Sequence, residues 1–247
     1  MKKLLLLCLL LSFYVQPIHS LGNVFVVNKD YLRQLKENIN PTQVDDVFGY
    51  DFPVITNPDD VMIIVNKQVQ LSAEYEPNDL VEVDVFKVGA TTNKQMRKVA
   101  ADALKELFEK AKRQGYTLAA ISGYRSYSTQ NRIYHNYVAN HGQSSADRFS
   151  ARPGHSEHQL GLAMDISVAS IGYSLSERLA ETPEGFWVRH NAHYFGFIIR
   201  YPQGKEPITG YMYEPWHLRY VGVELATQIY LCDCTMEEYY FMVSEKQ

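Results

Sequence analysis

The chain has 247 residues, of which 46% are hydrophobic, 13% aromatic and 21% charged, and its formal net charge is −4. This composition is that of a globular protein and excludes a disordered or fibrous chain. The slight acidic excess does not supply the basic surface that a nucleic-acid-binding protein needs, so no nucleic-acid partner is expected.

The N-terminal segment MKKLLLLCLLLSFYVQPIHS has the features of a secretory signal. Two lysines precede an apolar run, and the small residue Ser20 ends the segment at a cleavage point of the usual kind. A membrane anchor needs about 20 apolar residues, and this run is nearer half that length. We therefore expect residues 1–20 to be removed and the protein to be secreted, with a membrane association only if the signal stays uncleaved. Removal would also delete Lys2 and Lys3 and change the formal charge from −4 to −6.

The segment 21–59 carries many turn residues and is interpreted as an N-terminal extension, with one short helix predicted over Tyr31–Asn38. A catalytic domain is predicted over residues 60–247. Near its start, VMIIVNKQVQL and YEPNDLVEVDVF are β-like runs punctuated by Pro and Asn.

The rest of the domain mixes helices and strands in an irregular order. Apolar residues at helical spacing predict a helix over residues 93–114 that stops at Gly115. Downstream, strands are predicted in TLAAISGYR, GLAMDIS, FGFIIRY and EPWHLRYVG, and helices in SYSTQNRIYHNYVANHG, residues 184–195, VELATQIYL and MEEYYFMV. Because no βαβ unit repeats, the predicted fold class is α+β.

The strand GLAMDIS presents an acid on the face away from the core. Alternation along the strand directs three apolar side chains inward, namely Leu162, Met164 and Ile166. Asp165 then projects from the opposite face, on the same side as Gly161 and Ala163, whose small size leaves room for a ligand. His158 lies seven positions earlier, an odd offset, so it can share a ligand with Asp165 only from a loop before the strand, with Gly161 allowing the bend.

A third ligand is needed, because a catalytic zinc site usually has three protein ligands and one open position. His217, in YEPWHLRY, stands three residues after Glu214 on a strand-like segment. A carboxylate beside a metal-activated water is what hydrolysis requires. The residues alone leave two interpretations open: a zinc site with a carboxylate base, or ordinary histidines at a polar edge with Asp165 as a strand-end cap.

Two other pairs of residues have ordinary explanations. His190 and His193 form an H-x-x-H pair on a predicted helix, but no acid is placed beside them as well as Asp165 is placed, so we expect a solvated surface pair. Cys232 and Cys234 are expected to stay reduced, because a bridge between residues two apart would close a very small ring.

The motifs together resemble the VanY-type zinc D-alanyl-D-alanine carboxypeptidases, relatives of the hedgehog and lysostaphin-type metallopeptidases. The resemblance rests on Ser156-x-His158-x-x-Gly161-x-Ala163-x-Asp165 and Glu214-x-Trp216-His217, with the blocks VNKQVQL…YEPNDL, SGYRSYSTQ, SARPGHSEHQLGLAMD and EPWHLRYVG in the family's order. It spans roughly residues 60–225. It implies a small antiparallel sheet that carries a zinc site and is flanked by helices.

The resemblance also implies roles for single residues. It makes His158, Asp165 and His217 the ligands of Zn²⁺ and Glu214 the general base, later the acid toward the leaving amine. Arg125 resembles the family's active-site arginine and would bind either the terminal carboxylate or the developing oxyanion. The ordinary alternative for Arg125 is a surface salt bridge. Lesser candidates for substrate contact are Ser156 and Gln130.

These observations predict an exported, cell-wall-associated zinc carboxypeptidase, a monomer, that removes terminal D-alanine from peptidoglycan stem peptides. Because water attacks without a covalent intermediate, the enzyme is expected to be insensitive to β-lactams. Three alternatives stay open: an L,D-carboxypeptidase acting on tetrapeptide stems, an endopeptidase, and a non-catalytic zinc-binding cell-wall recognition module.

Overall fold

The structure is a computed structural model that describes residue 52 and residues 55–90 and 92–244. The predicted signal, most of the predicted extension and the predicted helix Tyr31–Asn38 lie outside these residues. Phe52 is buried, and Ile55 packs against the hydrophobic core. Both residues precede residue 60, so part of the predicted extension packs against the domain. Within the described ranges, the chain forms no helix that is both long and apolar enough to cross a membrane.

The described residues form six strands, seven α-helices and four short 3₁₀ segments. The strands are β1 (Leu80–Glu82), β2 (Gln95–Arg97), β3 (Ala119–Ser122), β4 (Ala163–Ser167), β5 (Phe197–Tyr201) and β6 (Glu214–Tyr220). The α-helices are α1 (Lys98–Arg113), α2 (Tyr127–His141), α3 (Gln143–Phe149), α4 (Pro183–Asn191), α5 (Glu206–Thr209), α6 (Val223–Cys232) and α7 (Met236–Ser244). The 3₁₀ segments are Glu157–Leu160, Ala169–Ile171, Glu177–Glu181 and Ala192–Phe195.

The main sheet has four antiparallel strands in the order β3-β4-β6-β5, and β1 pairs with β2 in a separate antiparallel ribbon. Helices surround the main sheet, which confirms the predicted α+β class. Ser126 caps α2 by accepting a hydrogen bond from the Thr129 backbone N–H, and α1 ends before Gly115, whose φ is +89°. These capping features match the ends that the sequence predicts.

Two predicted elements differ in the structure. The segment 61–71 forms no strand and consists of a turn, a bend and irregular chain, and the carbonyls of Val61 and Ile63 accept hydrogen bonds from the buried side chain of Arg219. The helix predicted from residue 93 begins at Lys98, since residues 95–97 pair with β1 and bury Met96 completely.

One face of the sheet packs against α1 and forms the principal core. The helix contributes Ala100, Leu104, Leu107, Phe108 and Ala111, and the chain around β4 contributes Leu162, Met164 and Ile166. All three side chains from the β4 region have an exposed fraction of 0%, which confirms the predicted inward face. Complete burial of such a side chain contributes about 1.5–3 kcal/mol.

The opposite face of the sheet changes character along its length. Near Ile198 it is apolar and lies under α6 and α7, whose buried residues include Ile229 and Met236. Toward β4 it becomes polar and carries Asp165 and His217. The sheet thus places its polar side chains on the face opposite α1.

The cysteine prediction is wrong, because Cys232 and Cys234 are joined by a disulfide at the end of α6. Asp233, between them, adopts the left-handed conformation with φ 51° and ψ 45°. This conformation holds the two Cα atoms 5.3 Å apart, within the range that a disulfide spans.

Candidate active site

Three predicted metal ligands meet on the polar face of the sheet. His158, Asp165 and His217 are all buried, and one ligand atom from each lies within 4.8 Å of the others. Asp165 and His217 are directly paired across β4 and β6, while His158 comes from the 3₁₀ segment before β4. The predicted position of His158, in a loop bent by Gly161, is confirmed.

The distances within this cluster suit a shared ion. His158 Nε2 lies 3.4 Å from Asp165 Oδ2, and His217 Nδ1 lies 3.3 Å from Asp165 Oδ1. Asp165 Oδ1 is buried and has no well-aligned hydrogen-bond donor among the described residues. An orphaned buried carboxylate oxygen is costly unless a ligand satisfies it.

The outer nitrogen of each imidazole has a protein partner. His158 Nδ1 lies 2.8 Å from the carbonyl oxygen of Gly123, and His217 Nε2 lies 3.3 Å from Glu157 Oε2. If each of these nitrogens donates its proton, the lone pairs of His158 Nε2 and His217 Nδ1 face Asp165. Metal-binding histidines in proteins are fixed in this way by a carbonyl or carboxylate.

Glu214 lies beside the cluster because β6 is irregular. Ile199 of β5 pairs with Leu218 of β6, and Tyr201 pairs with Glu214. The two pairs are therefore two residues apart along β5 but four residues apart along β6. This register shift brings Glu214 Oε2 to 3.7 Å from His217 Nδ1, although an odd spacing of three would separate the two side chains in a regular strand. Burial raises the pKa of Glu214 to about 7, a value suited to a general base.

Arg125 extends toward the cluster from the turn after β3. Its guanidinium donates to Gln130 Oε1 at 2.8 Å and to Ser122 Oγ at 3.3 Å, and Nη2 lies 3.9 Å from Asp165 Oδ2. The side chain is 21% exposed. Arg125 is therefore held in one orientation while part of its guanidinium faces the cavity.

The two lesser candidates lie in different places. Ser156 lines a cavity of about 710 Å³ together with Arg125, Glu214 and the metal-ligand cluster. Gln130 is 1% exposed and lies behind Arg125, with its amide nitrogen donating to the carbonyl of Ala151 at 2.6 Å. The predicted substrate contact of Gln130 is corrected to a contact that orients Arg125, because Gln130 does not line the cavity.

The structure confirms the bend predicted at Gly161 but contradicts the predicted space for a ligand above it. It adopts φ +66°, and a Cβ there would lie 2.8 Å from Leu80 Cδ2 and 3.0 Å from Arg97 Cγ. The space above Gly161 is thus filled by the β1–β2 ribbon and does not serve a ligand. Glycine is required for this close approach and for the left-handed bend after His158.

The histidine pair of the α4 region is also corrected. His193 is 4% exposed and its ring stacks on Tyr230 at a centroid distance of 3.9 Å, whereas His190 is partly exposed. The chain leaves α4 after Asn191 and enters a 3₁₀ segment, so the two side chains do not share one solvated helix face.

Sequence reasoning missed an ionic cluster behind His217, which consists of Glu157, Arg200, Arg219 and Glu237. Glu157 Oε1 accepts from Arg200 Nε at 2.8 Å and from Arg219 Nη1 at 2.6 Å. Arg200 also donates two hydrogen bonds to Glu237 of α7, at 2.8 and 2.6 Å. All four side chains are at most 2% exposed.

Glu157 connects this ionic cluster to the metal-ligand cluster through His217. Burial opposes ionisation of Glu157, but the guanidinium groups of Arg219 and Arg200 outweigh it and hold its pKa well below the usual range. The carboxylate is therefore charged and can fix the His217 ring. An arginine inside an apolar strand, as in FIIRY and EPWHLRY, is the sequence signal that could have indicated a buried acid.

Comparisons with known proteins identify the family. Residues 93–223 match the family VanY: D-alanyl-D-alanine carboxypeptidase. The Bacillus subtilis (strain 168) protein YodJ, provisionally named a carboxypeptidase, is 52% identical over 193 residues, which cover 77% of this chain and 71% of that protein. A D-alanyl-D-alanine carboxypeptidase of Enterococcus faecalis is 36% identical over 72% of this chain and 65% of its own length.

Solved structures show the same fold. The LdcB LD-carboxypeptidase is 51% identical, with a TM-score of 0.73, over 76% of this chain and 89% of that chain. A variant of the vancomycin-resistance D,D-pentapeptidase VanY, in complex with Zn(II), is 34% identical, with a TM-score of 0.59, over 73% of this chain and 98% of that chain. The motifs, the fold and these matches agree, and the chain belongs to the VanY D-alanyl-D-alanine carboxypeptidase family of peptidases that act on peptidoglycan peptides.

Proposed function

We propose that this protein is an exported, zinc-dependent carboxypeptidase that releases the terminal D-alanine of peptidoglycan stem peptides. The observation that carries the proposal is the buried cluster of His158, Asp165 and His217 with Glu214 beside it, at the base of a cavity that Arg125 also lines. Export rests on the signal predicted over residues 1–20 and is tested by N-terminal sequencing of the mature protein.

The three clustered side chains fit Zn²⁺. Two imidazole nitrogens and one carboxylate oxygen are a common zinc donor set, and the fourth position would face the cavity. The orphaned Asp165 Oδ1 and the fixed orientation of both rings support this assignment. When bound there, Zn²⁺ would polarise the scissile carbonyl and make a water molecule more acidic.

The protein groups would divide the reaction between them. Glu214 takes a proton from the water molecule while the oxygen of that water bonds to the scissile carbonyl carbon. It then delivers that proton to the amine of the departing D-alanine when the C–N bond breaks. Arg125 holds the terminal carboxylate, since a guanidinium matches a carboxylate with two parallel hydrogen bonds. Water attacks directly, so the reaction uses no serine nucleophile that a β-lactam could acylate.

Two bonds are candidates for cleavage. The 51% identity to the LdcB LD-carboxypeptidase favours the L,D bond of a tetrapeptide stem. The D,D bond of a pentapeptide, predicted from the motifs, is the second candidate and is supported by the family match and by the 36% identical D-alanyl-D-alanine carboxypeptidase.

Incubation of the zinc-loaded protein with each stem peptide separates these candidates. Mass spectrometry would follow free D-alanine, with the Glu214→Ala variant as the control. Release from the tetrapeptide supports L,D activity, and release from the pentapeptide alone supports D,D activity. If neither peptide is cleaved while zinc is bound stoichiometrically, the carboxypeptidase proposal is wrong and a recognition module or an endopeptidase takes its place.

A further inference from the structure

A second cavity, of about 400 Å³, shares a lining residue with the active-site cavity. Tyr211 lines both cavities. The second cavity is also lined by Lys67, Arg148, Arg152 and His155, with Asp147 as its single acid. Its charged lining is therefore predominantly basic, although the whole protein is acidic.

Lys67 is held firmly in this cavity. Its alkyl chain packs on Gly210, where a Cβ would lie 3.0 Å from Lys67 Cε. Its ammonium lies 3.7 Å from the centroid of the Tyr211 ring and donates to the backbone carbonyl of Asp147. A side chain that is already held in place loses little conformational freedom when a further partner binds.

The ammonium of Lys67 has no carboxylate partner in the described part of the chain. The nearby Asp147 carboxylate accepts two hydrogen bonds from Arg152, at 3.0 and 2.9 Å, and one from Tyr134 at 2.8 Å. By contrast, Lys205, which is also partly buried, pairs with Glu238 at 2.7 Å. Lys67 thus retains capacity for an anion that the protein itself does not supply.

Tyr211 connects Lys67 to the active site. The ammonium of Lys67 packs on the Tyr211 ring, and Tyr211 lines both the active-site cavity and the second cavity. A peptide that extends from the active-site cavity past Tyr211 would therefore approach this ammonium.

We propose that Lys67 forms a subsite for a second carboxylate of the stem peptide, on a residue upstream of the scissile bond. The assignment rests on the proposed function, because it takes the substrate to be a stem peptide. Stem peptides carry a glutamyl residue whose α-carboxyl group is either free or amidated, and the subsite selects the free carboxylate. Arg125 would bind the terminal carboxylate, so the two cations recognise two different acids of one substrate.

The test measures binding separately from catalysis. Two synthetic stem peptides that differ only in a glutamyl α-carboxylate or α-carboxamide are titrated calorimetrically into zinc-loaded Glu214→Gln protein. We expect the carboxylate peptide to bind about tenfold more tightly than the carboxamide peptide, because one charge-assisted hydrogen bond contributes about this much to affinity. Adding Lys67→Met, which keeps the alkyl chain on Gly210, should remove this preference, and Lys67→Arg should retain part of it.

Lys205→Met serves as the matched control and should leave the preference unchanged. Equal affinity for both peptides, or a preference that survives in folded Lys67→Met protein, would overturn the subsite. Hydrolysis by the wild-type protein tests the proposed function by itself. A carboxylate preference without hydrolysis would therefore support the subsite and refute the carboxypeptidase.

Discussion

The two sides of the metal-ligand cluster differ in how they use their charges. Behind His217, the ionic cluster of Glu157, Arg200, Arg219 and Glu237 is fully buried, and every acid in it accepts from a guanidinium. In front, Arg125 is partly exposed and lies 3.9 Å from Asp165. A charged group whose hydrogen bonds are all made within the protein holds its neighbours in place, whereas a charged group with unused hydrogen-bond donors can bind a substrate.

The largest effect on activity should come from the proposed general base, Glu214, which lies on the side of the metal-ligand cluster that faces the cavity. Glu214→Gln is expected to lower kcat about a thousandfold, because an amide cannot take the proton from water. Zinc stoichiometry, measured by atomic absorption, should not change. Activity within tenfold of wild type would remove Glu214 from the mechanism.

The ionic cluster should respond differently. Glu157→Gln is expected to weaken zinc binding by about 10–100-fold, because His217 loses the charged acceptor of its outer nitrogen. It should also lower the free energy of unfolding by about 3 kcal/mol, since two buried guanidinium groups lose a countercharge. Chelator competition and urea denaturation measure the two effects.

Glu237→Gln is the matched control for this prediction. Glu237 pairs with Arg200, whereas the partner of His217 Nε2 is Glu157, so the loss of Glu237 should reduce stability while zinc affinity stays near that of wild type. Equal losses of zinc affinity in both variants would show that Glu157 acts only by stabilising the fold.

Arg125 distinguishes two roles on the open side. Arg125→Lys keeps the charge but loses the planar pair of donors. If Arg125 binds the terminal carboxylate, KM should rise about tenfold with kcat little changed; if it stabilises the oxyanion, kcat should fall instead. Steady-state kinetics on the preferred stem peptide separates the two. A variant with unchanged kcat and KM would restore the surface-salt-bridge interpretation.

The smallest expected effect is on the pH dependence of the stability of the metal-free protein. Burial raises the folded-state pKa of Glu214 from 4.5 to about 7, so the folded state binds a proton more tightly than the unfolded state does. Wild-type stability relative to Glu214→Gln should therefore fall as pH rises from 4.5 to about 7, and then level off. Chemical denaturation after zinc removal measures this difference, and a constant difference between pH 4 and pH 9 would contradict it.

The site residues differ in how far local sequence could predict them. Alternation in GLAMDIS predicts the face of Asp165, and Gly161 marks the bend before that strand that lets His158 reach the same side. The sequence places Glu214 and His217, an acid and a histidine, in one segment. That their side chains lie on the same side of β6 depends on the register shift against β5. The contact of Gln130 with Arg125 could not be predicted, because a pattern does not reveal whether an amide faces a cavity or a neighbouring arginine.

By itself, the sequence predicted the α+β class and the inward face of β4, and it indicated His158, Asp165, Glu214 and His217 as candidate site residues, because backbone periodicity and short motifs are local. Only the tertiary structure decided the partners of Glu157 and Lys67. Glu157 meets Arg200 and Arg219 across 43 and 62 residues, and Lys67 meets Asp147 across 80. Contacts across such separations depend on how the chain folds back on itself, and no local pattern encodes them.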